Sequence, residues 1–324
     1  MGKVTRVTAS RIAVVFDFDE TLTPKDSFAA LLEDCGLNGD EFKNRVQSLV
    51  DQGWEKYLAR AYRLVKASGQ LDHKITQSKL AEVGQNIALY QETDQLFGRL
   101  QQKIHKIDDG IELEFYLISG GFVEIPRNTP LAKDFRRMWG CEFHYGESGE
   151  IEFLKKQMTH AEKTRYLYYI SQGIEGAENE KDLVYNFQSS NAEDLHVPLD
   201  QVIYVGDGAS DVPCFDVMGQ YGGMSIGIYG EGHSAKDWEN LESITKTQKL
   251  SNLVPAGYKE DSELVRSLYL CVECIAKRIA LRKLREEGIQ QSDSKVLCCI
   301  PMNSFNRHRV NLSISTMFRL LRER

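Results

Sequence analysis

The chain has 324 residues, of which 42% are hydrophobic and 27% charged, and its formal net charge is -7. That composition supports a sizeable packed core and excludes a disordered or fibrous chain. The acidic balance also speaks against nucleic acid as a partner, because phosphate backbones select basic surfaces.

The N-terminus shows no targeting pattern. Its apolar run, 12–16, is too short for a signal segment and acidic residues follow it. No stretch is long and apolar enough to cross a bilayer, so a cytoplasmic protein with no integral membrane segment is expected. Residues 11–16, RIAVVF, predict a fully buried strand of a parallel sheet. The strand runs into Asp17-Phe18-Asp19-Glu20-Thr21. From about 26 to 105 apolar residues recur at three-to-four spacing, which predicts a small domain of amphipathic helices.

Residues 113–118, LEFYLI, predict a second strand, followed by Ser119-Gly120-Gly121. Residues 131–140 read as helical, 146–149 as a hairpin-like turn and 161–171 as a helix. A polar stretch over 174–194 reads as helix and linker. QVIYV at 201–205 predicts a third strand, ending in Gly206-Asp207-Gly208-Ala209-Ser210-Asp211, and MSIGIY a fourth. A long helix is predicted over 258–287, with a polar, net basic tail after it. Of the seven cysteines, Cys271 and Cys274 form a C-x-x-C inside that helix. No second pair follows at zinc-ribbon spacing, so both are read as thiols on a buried helix face.

Alternating strands and helices imply a parallel α/β sheet with right-handed crossovers. Ligands bind such sheets at the carboxyl ends of the strands, where the three polar clusters would meet. Asp17 and Asp19 repel each other unless something offsets the charge. A divalent cation such as Mg²⁺ does so with hard oxygen ligands. A carboxylate can attack phosphorus, and a second one can protonate the leaving oxygen. Ser119 with the following glycine amides can grip phosphate oxygens.

In this order the clusters resemble the motifs of the haloacid dehalogenase-like (HAD) hydrolase superfamily. Asp17-Phe18-Asp19-Glu20-Thr21-Leu22-Thr23 looks like its first motif. Leu117-Ile118-Ser119-Gly120-Gly121-Phe122 is similar to the second, in the form of the phosphoserine phosphatase branch. Lys163, in EKTRYL, is the candidate third, with Lys155 and Lys156 as neighbouring alternatives, and Gly206 to Asp211 resembles the fourth. The string VIYVGDGASDVPCFDVM also resembles a group of uncharacterised bacterial members. The likeness spans about 12–230.

The resemblance implies a Rossmann-like core with an inserted helical cap: core 1–25, cap 26–105, core 106–255, then a C-terminal helix and tail, 256–324. It implies Asp17 as nucleophile and Mg²⁺ ligand, and Asp19 as general acid/base that also serves the metal. Asp207 and Asp211 would complete the metal site, and Lys163 would neutralise phosphoryl charge. Thr21, Ser119 and Gly120 would hold phosphate, and Asp26 would contact the rest of the substrate. The expected activity is Mg-dependent hydrolysis of a small phosphate ester through an aspartyl-phosphate. Phosphoryl transfer to another acceptor, or a catalytically inactive shell, are the alternatives. Glu20 departs from the Gly or Ser often found at its position, and Ser210 from a frequent Asn. Trp54, Tyr57, Arg60 and Arg63 share one predicted helix and are read as solvated or core residues. His160 and His196 are read as ordinary surface residues.

Overall fold

The computed structural model describes residues 9–175, 195–208, 210–230 and 250–298, with side chains through 288. The described residues up to Arg282 belong to one compact unit, and those from Lys283 to a second. The expected 174–194 linker lies almost wholly outside the described residues, as does the tail beyond 298.

Strand β1, Arg11–Phe16, is built of β-branched and aromatic residues and is buried from Ile12 onward. It lies in the middle of a seven-stranded sheet. The other strands are β2 Glu112–Phe122, β3 Arg137–Tyr145, β4 Ile151–Lys156, β5 Val202–Gly206, β6 Met224–Tyr229 and β7 Asn252–Pro255. Their order is β4-β3-β2-β1-β5-β6-β7, parallel except for the β3–β4 hairpin.

The strand order reverses direction at β1, which has β2 on one side and β5 on the other. Ligand crevices of open α/β sheets lie at such a switch point. The register aligns the carboxyl ends there: Phe16 is opposite Leu117 on one side and Val205 on the other. The Asp17 amide then donates to Val205 O at 2.9 Å. Three polar segments far apart in sequence therefore leave the sheet at one level.

Four helices follow β1: α1 Ser27–Asp34, α2 Gly39–Val50, α3 Lys56–Ser68 and α4 Gln77–Asn86. Asp26, Asn38, Glu55 and Thr76 accept from amides of their first turns, supplying the expected N-cap chemistry. The next helix, α5 Thr93–His105, falls inside the span expected for the cap but packs on the sheet. Its Phe97 meets Phe16, Phe115 and Phe135 edge-on, at centroid distances of 6.3, 4.8 and 5.3 Å.

The helical insertion is tied to the core at several points. The Ile151 amide donates to Ile75 O at 3.0 Å, and the Gln77 amide to Gly149 O at 2.8 Å. Gln157 donates to Glu55 at 2.8 Å. Helix α4 also meets the short helix α6, Glu124–Arg127, at Gly84. A side chain there would place Cβ 2.2 Å from Ile125 O, so the close approach needs glycine.

Helix α7, His160–Gln172, starts on Thr159 as N-cap and ends on Gly173 in the left-handed region. Helix α8, Val212–Tyr221, follows β5. The last helix, α9 Glu263–Cys298, begins and ends later than the predicted 258–287. Its Leu264, Leu268, Val272, Ile275 and Ile279 are buried in the first unit. Cys271 is buried but Cys274 is exposed, so the pair does not share a buried face. The two thiols lie on neighbouring rows of the helix, and only the row of Cys271 meets the core.

The helix expected over 131–140 is not formed. Ala132–Asp134 is a single 3₁₀ turn and Arg137 begins β3. The apolar run Met138–Cys141 is instead buried beside β2, where Trp139 stacks on Tyr116 at 5.8 Å. Tertiary packing overrides the local helical signal. Strand β7 carries almost no sequence signal: its four residues, NLVP, pair only with β6 among the described residues.

Replacing Gly84 with Val should push α4 off α6 and destabilise the fold by about 1–3 kcal/mol. Chemical denaturation would read this. An unchanged midpoint would mean that the α4–α6 contact is not a constraint.

Candidate active site

Lys163, on the first turn of α7, is fully buried. Its Nζ donates to Asp17 Oδ2 at 2.8 Å, to Asp211 Oδ1 at 2.7 Å and to Ser210 Oγ at 3.1 Å. An unpaired buried ammonium would be strongly unfavourable, so the two carboxylates are what hold it charged. Burial opposes the charge, but Asp17 and Asp211 outweigh it and the Lys163 pKa is raised. The alternatives, Lys155 and Lys156, lie exposed on β4. Lys155 faces Glu142 at 3.5 Å.

Asp17 is buried at the end of β1, and its Oδ1 accepts from the Phe18 amide at 2.7 Å. Burial pushes its carboxyl up to about 7, against the pull of Lys163 and with the push of Asp211. Asp211 is buried at the start of α8, and its Oδ1 also accepts from the Tyr204 hydroxyl at 2.6 Å. Asp207 is half-buried and faces the same space. One oxygen from each of Asp17, Asp207 and Asp211 lies within 4.8 Å of the others. Burial, then the nearby Asp17 and Asp211 charges, drive the Asp207 carboxyl well above its ordinary value.

Asp19 follows Asp17 by two residues. Its Oδ1 accepts from the Ser27 amide at 2.7 Å. Burial, then the Asp26 charge, raise it to about 6. Its Oδ2 leans on the second polar loop: a Cβ at Gly121 would come within 2.7 Å of it and 3.3 Å of Ser119 Oγ. Only glycine allows that approach. Ser119 to Gly121 do not simply follow β2, as expected. They form its irregular end, with a register shift between Ile118 and Phe122, and the Gly121 amide donates to Ser119 Oγ at 2.9 Å.

The remaining expected site residues are placed differently. Thr21 is fully buried, and its hydroxyl has no partner among the described residues. Its carbonyl accepts from the Tyr258 hydroxyl at 2.6 Å. Asp26 caps α1, accepting from the Ala29 amide at 2.9 Å. Glu20 has a φ of 56°. That left-handed backbone explains why a glycine suits the position, and it is a strained one for glutamate.

Two residues that sequence reasoning assigned to solvent or core stand at the site. Tyr57, on α3, holds its hydroxyl where a Cβ on Gly120 would be 2.9 Å away. Burial is the main cause that pushes this phenol up to about 12. Arg60, one turn on, lies 4.5 Å over the Phe28 ring. Both stand on the face of α3 turned to the core, and i,i+3 spacing was the available signal. Trp54 precedes the helix and is exposed. His160 is exposed, as expected. His196 is not an ordinary surface residue: it is largely buried, with Nε2 2.9 Å from Glu114 Oε2. Glu114, also bound by Arg136 at 2.9 Å, sits near the amino end of β2, away from Ser119. The apolar environment of β2 makes His196 a partner for that buried acid.

No protein-family profile matches the chain. An uncharacterised protein of Borreliella burgdorferi is 22% identical over 64% of this chain and 78% of its own length. Among solved structures, a HAD family hydrolase of Salmonella enterica serovar Typhi superposes with a TM-score of 0.51 at 14% identity. The match covers 81% of this chain and 72% of that one. A probable phosphoserine phosphatase from Vibrio cholerae gives a TM-score of 0.50 at 13% identity, over 85% of this chain and 69% of its own. The chain therefore has the α/β fold of the haloacid dehalogenase-like hydrolases. The likeness to the second of these structures makes it a fold of the phosphoserine phosphatase type.

Lys163→Met should lower the unfolding free energy by about 3–5 kcal/mol, because two buried carboxylates lose their counter-charge. Adding Asp17→Asn to that variant should recover part of the loss. If urea denaturation shows additive losses instead, the ammonium is not holding this cluster together.

Proposed function

We propose that the chain is a Mg²⁺-dependent phosphatase that hydrolyses a phosphate monoester through an aspartyl-phosphate on Asp17. The observation that carries this reading is the convergence of Asp17, Asp19, Asp207, Asp211 and Lys163 at the switch point of the sheet. Three clustered carboxylates face one ammonium, so a dication brings Asp17, Asp207, Asp211 and Lys163 to neutrality. Asp17 and Asp207 would hold it as hard oxygen donors. Asp211 is already engaged by Lys163 and Tyr204, which suits it to orient the lysine and support the metal site from behind. When bound, the metal supplies charge neutralisation that lets a carboxylate approach an anionic phosphate.

The chain's own groups would then act in sequence. An Asp17 oxygen attacks phosphorus, and the bond from phosphorus to the leaving oxygen breaks. Asp19 gives that oxygen its proton. Asp19, now ionised, takes a proton from water, whose oxygen attacks phosphorus and releases Asp17 and inorganic phosphate. Ser119 Oγ and the amides around Gly120 hold the non-reacting oxygens, with Lys163 beside them. Tyr57 adds a hydroxyl from the helical insertion, and Asp26 borders the leaving-group side. No helix among the described residues is long and apolar enough to cross a membrane. A water-borne small phosphate ester in the cytoplasm is the setting this reading favours.

Hydrolysis of p-nitrophenyl phosphate should require Mg²⁺ and vanish in Asp17→Asn with the fold retained. Turnover that persists in excess chelator would overturn the metal assignment. Mg²⁺ should also raise the melting temperature of the wild type by a few degrees, and that of Asp207→Asn hardly at all. Tyr57→Phe should lower kcat about tenfold or more on every ester tested, the worth of one hydrogen bond to a charged group. A kcat unchanged in that variant would return Tyr57 to a packing role.

A further inference from the structure

We infer that Cys141 is a positioning residue for the proposed site: through the Gly120–Gly121 peptide it sets where the Ser119 hydroxyl stands. The inference rests on the phosphatase reading for its purpose, and on contacts inside the core for its geometry. Cys141 lies on β3 and is buried. Its Sγ donates to Gly120 O at 3.4 Å and accepts from the Met158 amide at 3.3 Å. Burial pushes the thiol up to about 11, so it keeps its proton at neutral pH and serves as the donor. A protonated, buried thiol is a hydrogen-bonding group rather than a nucleophile.

The location of these contacts gives them a consequence. Strand β2 loses its regular pairing with β3 between Ile118 and Phe122, the segment that carries Ser119, Gly120 and Gly121. Pairing resumes with Phe122 opposite Cys141, so the thiol takes up a carbonyl inside the irregular stretch. A peptide unit is planar and trans, and its C=O and N–H point in opposite directions. With the Gly120 carbonyl held on Cys141, the N–H of the same unit, on Gly121, is aimed the other way. It meets Ser119 Oγ at 2.9 Å. The Ser119 hydroxyl accepts there and keeps its own proton for a phosphate oxygen. Turning that one plane would carry the Gly121 N–H away from the serine. Glycine on both sides gives the plane little conformational preference of its own, so a tether has something to fix.

The second contact ties the plane to the other side of the site. Met158 precedes Thr159, the N-cap of α7, and that helix carries Lys163 in its first turn. Gln157, one residue earlier, donates to Glu55 at the start of α3, the helix that carries Tyr57. One thiol thus sits between the loop that would grip phosphate and the connection that delivers the ammonium. Alanine or valine at 141 would remove both sulfur contacts, whereas serine retains a donor and an acceptor.

Amide hydrogen exchange of the full chain, followed by NMR, reads the Gly121 N–H directly and needs no turnover. Relative to the core amides of β1, Cys141→Ala should speed Gly121 exchange about three- to tenfold, the worth of one hydrogen bond. Cys141→Ser should restore most of the protection, and Cys141→Val is the companion should the alanine variant melt early. In a second arm, binding of inorganic phosphate in excess Mg²⁺ should weaken about three- to tenfold in Cys141→Ala. That loss should disappear in a Ser119→Ala background, whereas a thiol that merely fills space would give it with or without the serine. Gly121 exchange that stays unchanged in the alanine and valine variants overturns the inference. A phosphate affinity that does not change, or a loss that persists in full once Ser119 is gone, overturns it as well. Faster Gly121 exchange with rescue by serine, in a chain that binds no phosphate and hydrolyses no ester, keeps the coupling of Cys141 to Ser119 and overturns the phosphatase reading instead.

Discussion

The buried ammonium of Lys163 is the interaction around which the site is arranged. It touches Asp17 from the end of β1 and Asp211 from the start of α8, and it arrives on α7. Each of those residues alone would be costly to bury. Together they are satisfied only in this geometry, so helix and strand ends cannot shift independently. The ion pair thus fixes the nucleophile candidate, with Oδ1 held by the Phe18 amide and Oδ2 by the lysine. It does not balance the charge. Three clustered carboxylates against one ammonium leave an excess that burial makes worse, and the raised Asp17 and Asp207 carboxyls are its expression. Positive charge placed there would relieve it, which is the ground for the proposed Mg²⁺.

The sheet explains why residues so distant in sequence can share that lysine. Phe16 is in register with both Leu117 and Val205, so β1, β2 and β5 end together. A slip of one residue would turn every side chain on a strand to the other face. The buried runs of β1 and β5 penalise such a slip. Packing of the hydrophobic strands therefore sets the distances between polar groups buried at their ends.

Much of this was legible in the sequence. Short β-branched runs ending in polar clusters marked three of the strands, two of them with acids. Those clusters proved to meet because parallel strands place their carboxyl ends on one side. The cation in EKTRYL could be separated from Lys155 and Lys156 by its place at a helix start. What was not legible depended on tertiary partners. Met138 and Trp139 look helical beside Lys133, Asp134 and the two arginines, until Tyr116 supplies a surface to stack on. His196 looks like a surface residue until Glu114 appears beside it. Tyr57 and Arg60 had the right spacing for one helix face, but nothing local said that the face looks onto Gly120 rather than solvent.

The position of α3 links these observations. The insertion is fastened to the β3–β4 hairpin by backbone bonds at Ile75 and Gln77, and to α6 by the contact at Gly84. Those ties lie on the α4 side. Helix α3 brings the Tyr57 hydroxyl up to Gly120, and its N-cap Glu55 accepts from Gln157 of the core. In the core, charge and register leave little freedom, since Lys163 ties Asp17, Ser210 and Asp211 to one point. Under the proposed function the core therefore supplies the charged groups, while the insertion adds a neutral hydroxyl from a helix anchored independently of that cluster, so the two contributions can be altered apart.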